Sequence, residues 1–284
     1  MLRRLIKSGA LLTILTLMLS GCSWDNVLVL SPDGPVADRQ KELIMWSFYL
    51  VMGIVVVVFA LFTYIVWKFR NRSGEKHYDP EYEGNKKLEF IWTGIPIIIV
   101  ILLAIPTVTT TFDLKNKPEK YEDAEPLTIK VIAADWKWVF QYPEQGIQTV
   151  NYLHIPEERP VNFVLTSAGS MCSFWIPELG GQKYAMSGMK TNLWLAADDP
   201  GVYLGQNANF SGEGYTHMKF KVYSQTESNF DQWVKNVKQD APDLSKDKFD
   251  DILKPGLAER MTFSSYPKNF DFVMRGGSEL YEQD

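Results

Sequence analysis

The stretch Leu43–Trp67 reads LIMWSFYLVMGIVVVVFALFTYIVW, about 25 residues without a charge. As a helix it crosses roughly 30 Å of hydrocarbon with some tilt. A second uncharged stretch, Phe90–Phe112, runs for about 23 residues and is also long enough to span. It contains Pro96 and Pro106, which a spanning helix tolerates where neighbouring protein re-satisfies the freed backbone groups. Trp46, Tyr49, Tyr64, Trp67 and Trp92 fall near the ends of these stretches, where amphipathic rings favour the membrane–water interface. Length and all-round apolar character set both apart from the buried helices of a soluble protein. Residues 43–112 therefore read as a transmembrane helical hairpin.

The connector 68–89 orients that hairpin. Lys68, Arg70, Arg72, Lys76, Lys86 and Lys87 lie close to its two membrane ends, so the connector is expected on the cytoplasmic side. Its acidic residues, Glu75, Asp79, Glu81, Glu83 and Glu89, count little under that rule. The N-terminus agrees. A basic start (Arg3, Arg4, Lys7), an apolar run from Ala10 to Leu19 and the ending Leu19-Ser20-Gly21-Cys22 make residues 1–21 a signal peptide. The ending resembles a lipobox, in which the Cys22 thiol receives a diacylglyceryl group and becomes the new N-terminus. One lipid anchor holds only marginally on its own. Segment 22–42 and everything after Phe112 are then expected outside the cell membrane, as parts of a lipoprotein.

Among 284 residues, 29 Lys and Arg face 34 Asp and Glu, a net charge of −5. With a pI near 5.4, the chain lacks the electrostatic footprint of a nucleic-acid binder. Two Cys and three His leave few candidates for a disulfide framework or a multi-ligand metal cluster. After a polar linker, 113–126, the pattern changes. Leu127–Ile132, Trp136–Tyr142, Thr149–Ile155, Val161–Ser167, Met171–Ile176, Thr191–Ala197 and His217–Tyr223 are short runs of β-branched and aromatic residues punctuated by Pro, Gly or Asn. About seven short strands in roughly 100 residues predict an antiparallel sandwich or barrel over 127–224. Region 225–284 turns helical: Phe230, Trp233, Val234 and Val237 keep one helix face, with Ser228 as N-cap. Ser245–Leu253 is a second short helix, stopped by Pro255-Gly256.

A signal-anchored hairpin followed by an external β-domain resembles subunit II of the heme-copper oxidases, over residues from about 30 to 275. The second span opens Glu89-Phe90-Ile91-Trp92-Thr93-Gly94-Ile95-Pro96, similar to that family's Glu-x-x-Trp-Thr-x-x-Pro. Trp136-Lys-Trp138-Val-Phe140-Gln-Tyr142 is similar to its Trp-x-Trp-x-Tyr-x-Tyr stretch, with Phe140 for the first Tyr. Ser173-Phe-Trp175-Ile-Pro177 and Gly181-Gln-Lys183 match its Ser-x-Trp-x-Pro and Gly-x-Lys segments in order. The resemblance implies a cupredoxin-like Greek-key sandwich outside the membrane.

Copper-bearing members of the family, the cytochrome c oxidases, hold two copper ions with a His before the Ser-x-Trp segment and a loop Cys-x-Glu-x-Cys-x-x-x-His-x-x-Met. Here Cys172 stands at the first position, Asn207 and Ser211 replace the bridging Cys residues, Asn209 replaces Glu, Tyr215 replaces His, and only Met218 matches. Soft sulfur ligands are what hold copper in such a centre, and with Cys22 lipidated Cys172 is the one remaining thiol. The resemblance thus implies the quinol oxidase branch: no metal or other cofactor bound by this chain, and heme and copper in a partner subunit I. Membrane quinol is then the electron donor in place of cytochrome c. The aromatic stretch from Phe230 to Tyr266 is similar to one those subunits carry.

The resemblance places Glu89 at the mouth of a proton-uptake channel. Carboxylates at membrane thresholds are functional candidates, because burial costs them and proton relays need them; the alternative is an interfacial Glu paired with Lys86 or Lys87. Trp136, Trp138, Phe140 and Tyr142 read as strand core and as packing against subunit I. A mononuclear copper held by His154, Cys172, His217 and Met218 has a blue-copper donor set, although Cys172 lies about 45 residues from Met218 instead of on one loop. The rival functions are a cytochrome c oxidase subunit II and a copper-binding or assembly lipoprotein.

Overall fold

The computed structural model describes residues 27–70 and 84–267. The signal peptide, the lipidation candidate Cys22, connector residues 71–83 and the tail 268–284 lie outside the described residues. The chain divides into a unit made of residues 39–116 and a second made of the rest.

The smaller unit holds two long helices, α1 (Pro35–Lys68) and α2 (Lys86–Asp113). Both begin earlier than hydropathy alone indicates. Pro35 supplies the pre-set φ that suits a first helical position, and the next residues, Val36 and Ala37, are buried. They belong to the other unit, so segment 22–42 contains a turn of helix instead of only an extended lead-in. Asn85 caps α2, its side-chain oxygen accepting from Lys87 N at 3.0 Å and Leu88 N at 3.4 Å, which satisfies two otherwise unpaired donors. Pro96 and Pro106 both sit inside α2. The apolar windows of both helices are unburied, as spans awaiting lipid and partner helices must be.

Among the described residues of the larger unit, eleven strands form two sheets. They are β1 (Leu127–Ala134), β2 (Lys137–Tyr142), β3 (Ile147–Val150), β4 (Tyr152–Pro156), β5 (Val161–Ser167), β6 (Cys172–Trp175), β7 (Lys183–Ala185), β8 (Thr191–Leu195), β9 (Gly201–Asn207), β10 (Lys219–Gln225) and β11 (Met261–Phe263). A six-stranded sheet runs β11-β3-β2-β1-β5-β8 and a five-stranded one β4-β10-β9-β6-β7. Pairing is antiparallel except where β1 meets β5 and β10 meets β4. Between the sheets lie Trp138, Phe140, Phe163, Phe174 and Phe220, none more than 2% exposed. Trp138 meets Phe174 edge-on at 5.3 Å, and Phe174 stacks on Phe220 at 5.2 Å, arrangements the ring quadrupoles favour. Gly205 is required here, because a Cβ on it would collide with the Phe220 ring.

Three sequence expectations need correction. The run 149–155 is two strands in different sheets. Asn151 between them takes φ +59°, a conformation Asn tolerates, and bonds Trp138 N at 2.9 Å and Ala258 O at 2.7 Å. Helix α3 (Glu227–Asp240) is capped by Thr226, not Ser228, whose position falls within the first turn. Region 225–284 is also not purely helical, since Met261–Phe263 joins the edge of the six-stranded sheet. Helix α4 (Lys246–Leu253), capped by Ser245, lays Phe249, Ile252 and Leu253 on the outer face of that sheet against Ile132, Ala134, Val139 and Val150. An apolar outer face must be covered, and the C-terminal region covers it.

Candidate functional site

Cys172 opens β6, Asn207 closes β9 and Met218 precedes β10. Because Phe174 pairs with Asn207 across β6 and β9, and β9 turns back antiparallel into β10, the connecting loop 208–217 folds against the start of β6. This brings together five of the six positions singled out from the sequence. Met218 Sδ lies 3.9 Å from Cys172 Sγ, 3.4 Å from Asn207 Nδ2 and 3.8 Å from Ser211 Oγ. Asn207 Nδ2 also donates to Ser211 Oγ at 2.9 Å, and its Oδ1 accepts from Ser173 N at 2.8 Å and Asn209 N at 3.0 Å. Asn209 in turn donates to Met171 O at 2.9 Å. Tyr215 joins no donor set; its ring packs on Phe210 at 5.0 Å.

The family's dinuclear copper needs two bridging thiolates, and the residues present do not fit it. The pocket offers one thiol, a thioether, a hydroxyl and an amide. Burial holds the Cys172 thiol above its ordinary range, partly offset by hydrogen bonding with Ser211 and Ser170, so the thiolate that would bind metal is disfavoured. Among the described residues no three His, Cys, Asp or Glu side chains gather as a metal site. The mononuclear alternative is not assembled either. His154 sits on β4, three strands from β6, about 14 Å at ordinary strand spacing. Its ring is stacked between Tyr223 at 4.7 Å and Trp233 at 4.2 Å, and Nδ1 meets Gln225 Oε1 at 2.9 Å. His217 is exposed.

Trp136 fastens the loop from the side. It takes φ +73°, its indole N–H donates to Ser211 O at 3.0 Å, and its ring lies where any Cβ on Gly214 would stand. Gly212 beside it has φ +100°, the left-handed region that favours glycine. Trp138, Phe140 and Tyr142 are fully buried, which corrects the expectation of partner packing: they offer a neighbouring subunit no surface. Trp138 donates its indole N–H to Met218 O at 3.3 Å, so the aromatic core supports the pocket from below.

Sequence reasoning missed a second cluster, at the far end of the sandwich. Asp198 N donates to Asp33 O at 3.0 Å, and the Asp33 carboxylate accepts from Tyr203 OH. The Asp198 carboxylate takes Lys120 Nζ at 2.6 Å and Tyr121 OH at 2.7 Å, and burial with that carboxylate pushes the Tyr121 phenol up to about 12. The partners are too far apart in sequence for any spacing rule to pair them. Glu89 lies exposed in the first turn of α2, where the helix dipole favours a carboxylate. Neither Lys86 nor Lys87 forms an ion pair with it.

The family model for the transmembrane domain of cytochrome c oxidase subunit II matches residues 22–110, and that for its periplasmic domain matches 145–225. Quinol oxidase subunit 2 of Bacillus anthracis is 49% identical over 274 residues, 94% of this chain and 94% of that one. The protein of the same name from Bacillus subtilis is 49% identical over 266 residues, 92% of this chain and 82% of its own. Among solved structures, the periplasmic domain of subunit II of cytochrome oxidase from Bradyrhizobium japonicum aligns at 22% identity and TM-score 0.39, covering 40% of this chain and 94% of that one. With 49% identity across 94% of both sequences, the chain belongs to the quinol oxidase subunit 2 family: it is a terminal-oxidase subunit II, a membrane protein that carries an external β-domain on two spans and works alongside the other oxidase subunits.

Proposed function

We propose that this subunit serves an oxidase fed by membrane quinol, with no copper relay in its external domain. The single observation that carries the reading is the occupation of the two bridging-thiolate positions by Asn207 and Ser211, bonded to each other at 2.9 Å. A water-soluble carrier such as cytochrome c delivers single electrons from outside and needs a redox stop to pass them inward; soft bridging sulfur would supply one, and an amide and a hydroxyl do not. A quinol instead reaches the partner subunit within the bilayer. The relatives' name, quinol oxidase subunit 2, supports the same reading.

In this scheme heme and copper belong to subunit I, where oxygen is reduced and most of the proton path runs. This chain contributes an external cap, the membrane hairpin and, through Glu89, a carboxylate at the cytoplasmic start of α2 where protons enter. Cys22 carries a lipid on the outer side, so that a diacylglyceryl anchor and two spans hold the subunit in the membrane. The purified complex, assembled with its partner subunits, is expected to consume oxygen with a reduced quinol and not with reduced cytochrome c. The reverse preference would reject the proposal. In the same assay Glu89→Gln is expected to slow turnover and proton uptake with assembly intact; full turnover in an assembled variant would remove Glu89 from the path.

A further inference from the structure

Helix α4 covers only part of the outer face of the six-stranded sheet. Strand register fixes which side chains share that face. Lys130 stands opposite Gln141 and Val164, Ile132 opposite Val139, and Asn162 opposite Trp194. Their neighbours Phe140 and Phe163 point the other way and meet Phe174 inside the sandwich. The apolar cluster beneath α4 takes in Val150, Val139 and Ile132 and packs as far as Val164 on β5. Among the described residues it stops there, and Trp194 on the edge strand β8 lies outside it, partly buried. Two polar atoms on this face are buried without a hydrogen-bond partner among the described residues, Gln148 Nε2 on β3 and Asn162 Oδ1 on β5. Gln141 donates to Gln148 Oε1 at 3.0 Å, which leaves the Gln148 nitrogen over. Buried polar groups nearly always find a partner, so each of the two marks a place where one is due.

We propose that the occupant of this remaining strip is the chain's own segment 268–275, Lys-Asn-Phe-Asp-Phe-Val-Met-Arg. The segment starts in place, because Tyr266 already packs on the cluster under α4. It is also long enough. From Val150 on β3 to Trp194 on β8 is four strand spacings, about 19 Å, and eight extended residues reach about 26 Å. The chemistry matches as well. Phe270, Phe272 and Met274 recur at every second position, which gives an extended segment one apolar side to set against Val164 and Trp194. Its backbone amides supply the donor that Asn162 Oδ1 lacks, and Asp271 is opposite in sign to Lys130 on the same face. Tethering favours this segment over a separate partner, since a linked segment binds at an effective concentration in the millimolar range.

The test uses the oxidase assembled from full-length subunits, with Trp194→benzoylphenylalanine in this one. After irradiation, the adduct is located by peptide mass spectrometry. It is expected within 268–275 of the same chain, so that the subunit keeps its monomeric mass. In the Phe270→Ser, Phe272→Ser double variant that adduct is expected to fall several-fold, while co-purification with the partner subunits is unchanged. An adduct on a partner subunit, on a second copy of this chain or on lipid overturns the proposal. So does no adduct at all, or an intrachain adduct that is undiminished in the double variant. A second measurement leaves Trp194 in place. Ending the chain at Pro267 is expected to speed amide exchange several-fold in β8 and to leave β9 and β10 unchanged; exchange in β8 that stays the same overturns the proposal too. The inference concerns the external domain alone and stands or falls independently of the electron donor.

Discussion

The pocket around Met218 and the two spans α1 and α2 are built on opposite principles. In the pocket Asn207 uses both ends of its amide within the chain, on Ser173 N, Asn209 N and Ser211 Oγ, and the sulfurs of Cys172 and Met218 face each other at 3.9 Å. In the hairpin, Val57, Phe59 and Ile98 are each more than half exposed. Apolar surface on that scale marks an interaction face. The loop of the external domain is held by hydrogen bonds made within the chain itself. The hairpin is incomplete until lipid and the other oxidase subunits surround it.

Four substitutions break or sharpen that contrast. The largest effect is expected from Phe174→Ala, which empties the centre of the aromatic core under the pocket and should cost about 3–5 kcal/mol, read as a shift in the denaturant midpoint of the external domain's tryptophan fluorescence. An unchanged midpoint would mean that the sandwich does not carry the pocket. Next, Asn207→Ala strips the acceptor from two backbone N–H groups and should cost roughly 2–3 kcal/mol. Treating the unaltered protein with a copper chelator should leave the same midpoint in place; a chelator-induced drop would show that a metal, and not the amide, holds the loop.

Trp136→Phe removes the 3.0 Å bond to Ser211 O and part of the ring packed beside Gly212 and Gly214, and should cost at least about 1 kcal/mol. Its readout is faster amide exchange confined to residues 208–217, and exchange spread over the whole sandwich would contradict a local role. The smallest effect concerns His154. Burial holds its pKa below the ordinary imidazole value, against the opposing hydrogen bond that the ring donates to Gln225 Oε1. The unfolded chain therefore takes up the proton first, so stability is full above the ordinary value near about 6.5 and declines as pH falls through the lowered folded value. His154→Gln should flatten that part of a melting-temperature profile, and a slope that survives the substitution would assign it to another group.

How much was legible in the sequence follows from which forces act locally. The spans announce themselves by uninterrupted apolar length, and β1, β2 and β5 by β-branched and aromatic runs. The hairpin-plus-sandwich architecture could be read on those terms. What escaped depends on partners distant in the chain. β9 carries two glycines and shows no strand pattern until Phe220 packs over Gly205. The change of sheet at Asn151 depends on Ala258, and Thr226 displaces Ser228 as cap because the chain leaves β10 one residue later. In the pocket, the resemblance marked Asn207 and Ser211 as ligands lost. Only the geometry shows what they do instead, since an amide that bonds Ser173, Asn209 and Ser211 at once cannot be read from its position in a loop.

The most direct test of the central claim is an electron paramagnetic resonance spectrum of the oxidised, quinol-active complex. The account requires the heme and copper signals of subunit I with no mixed-valence dinuclear copper signal. A seven-line dinuclear copper spectrum that vanished when this subunit was removed would contradict it.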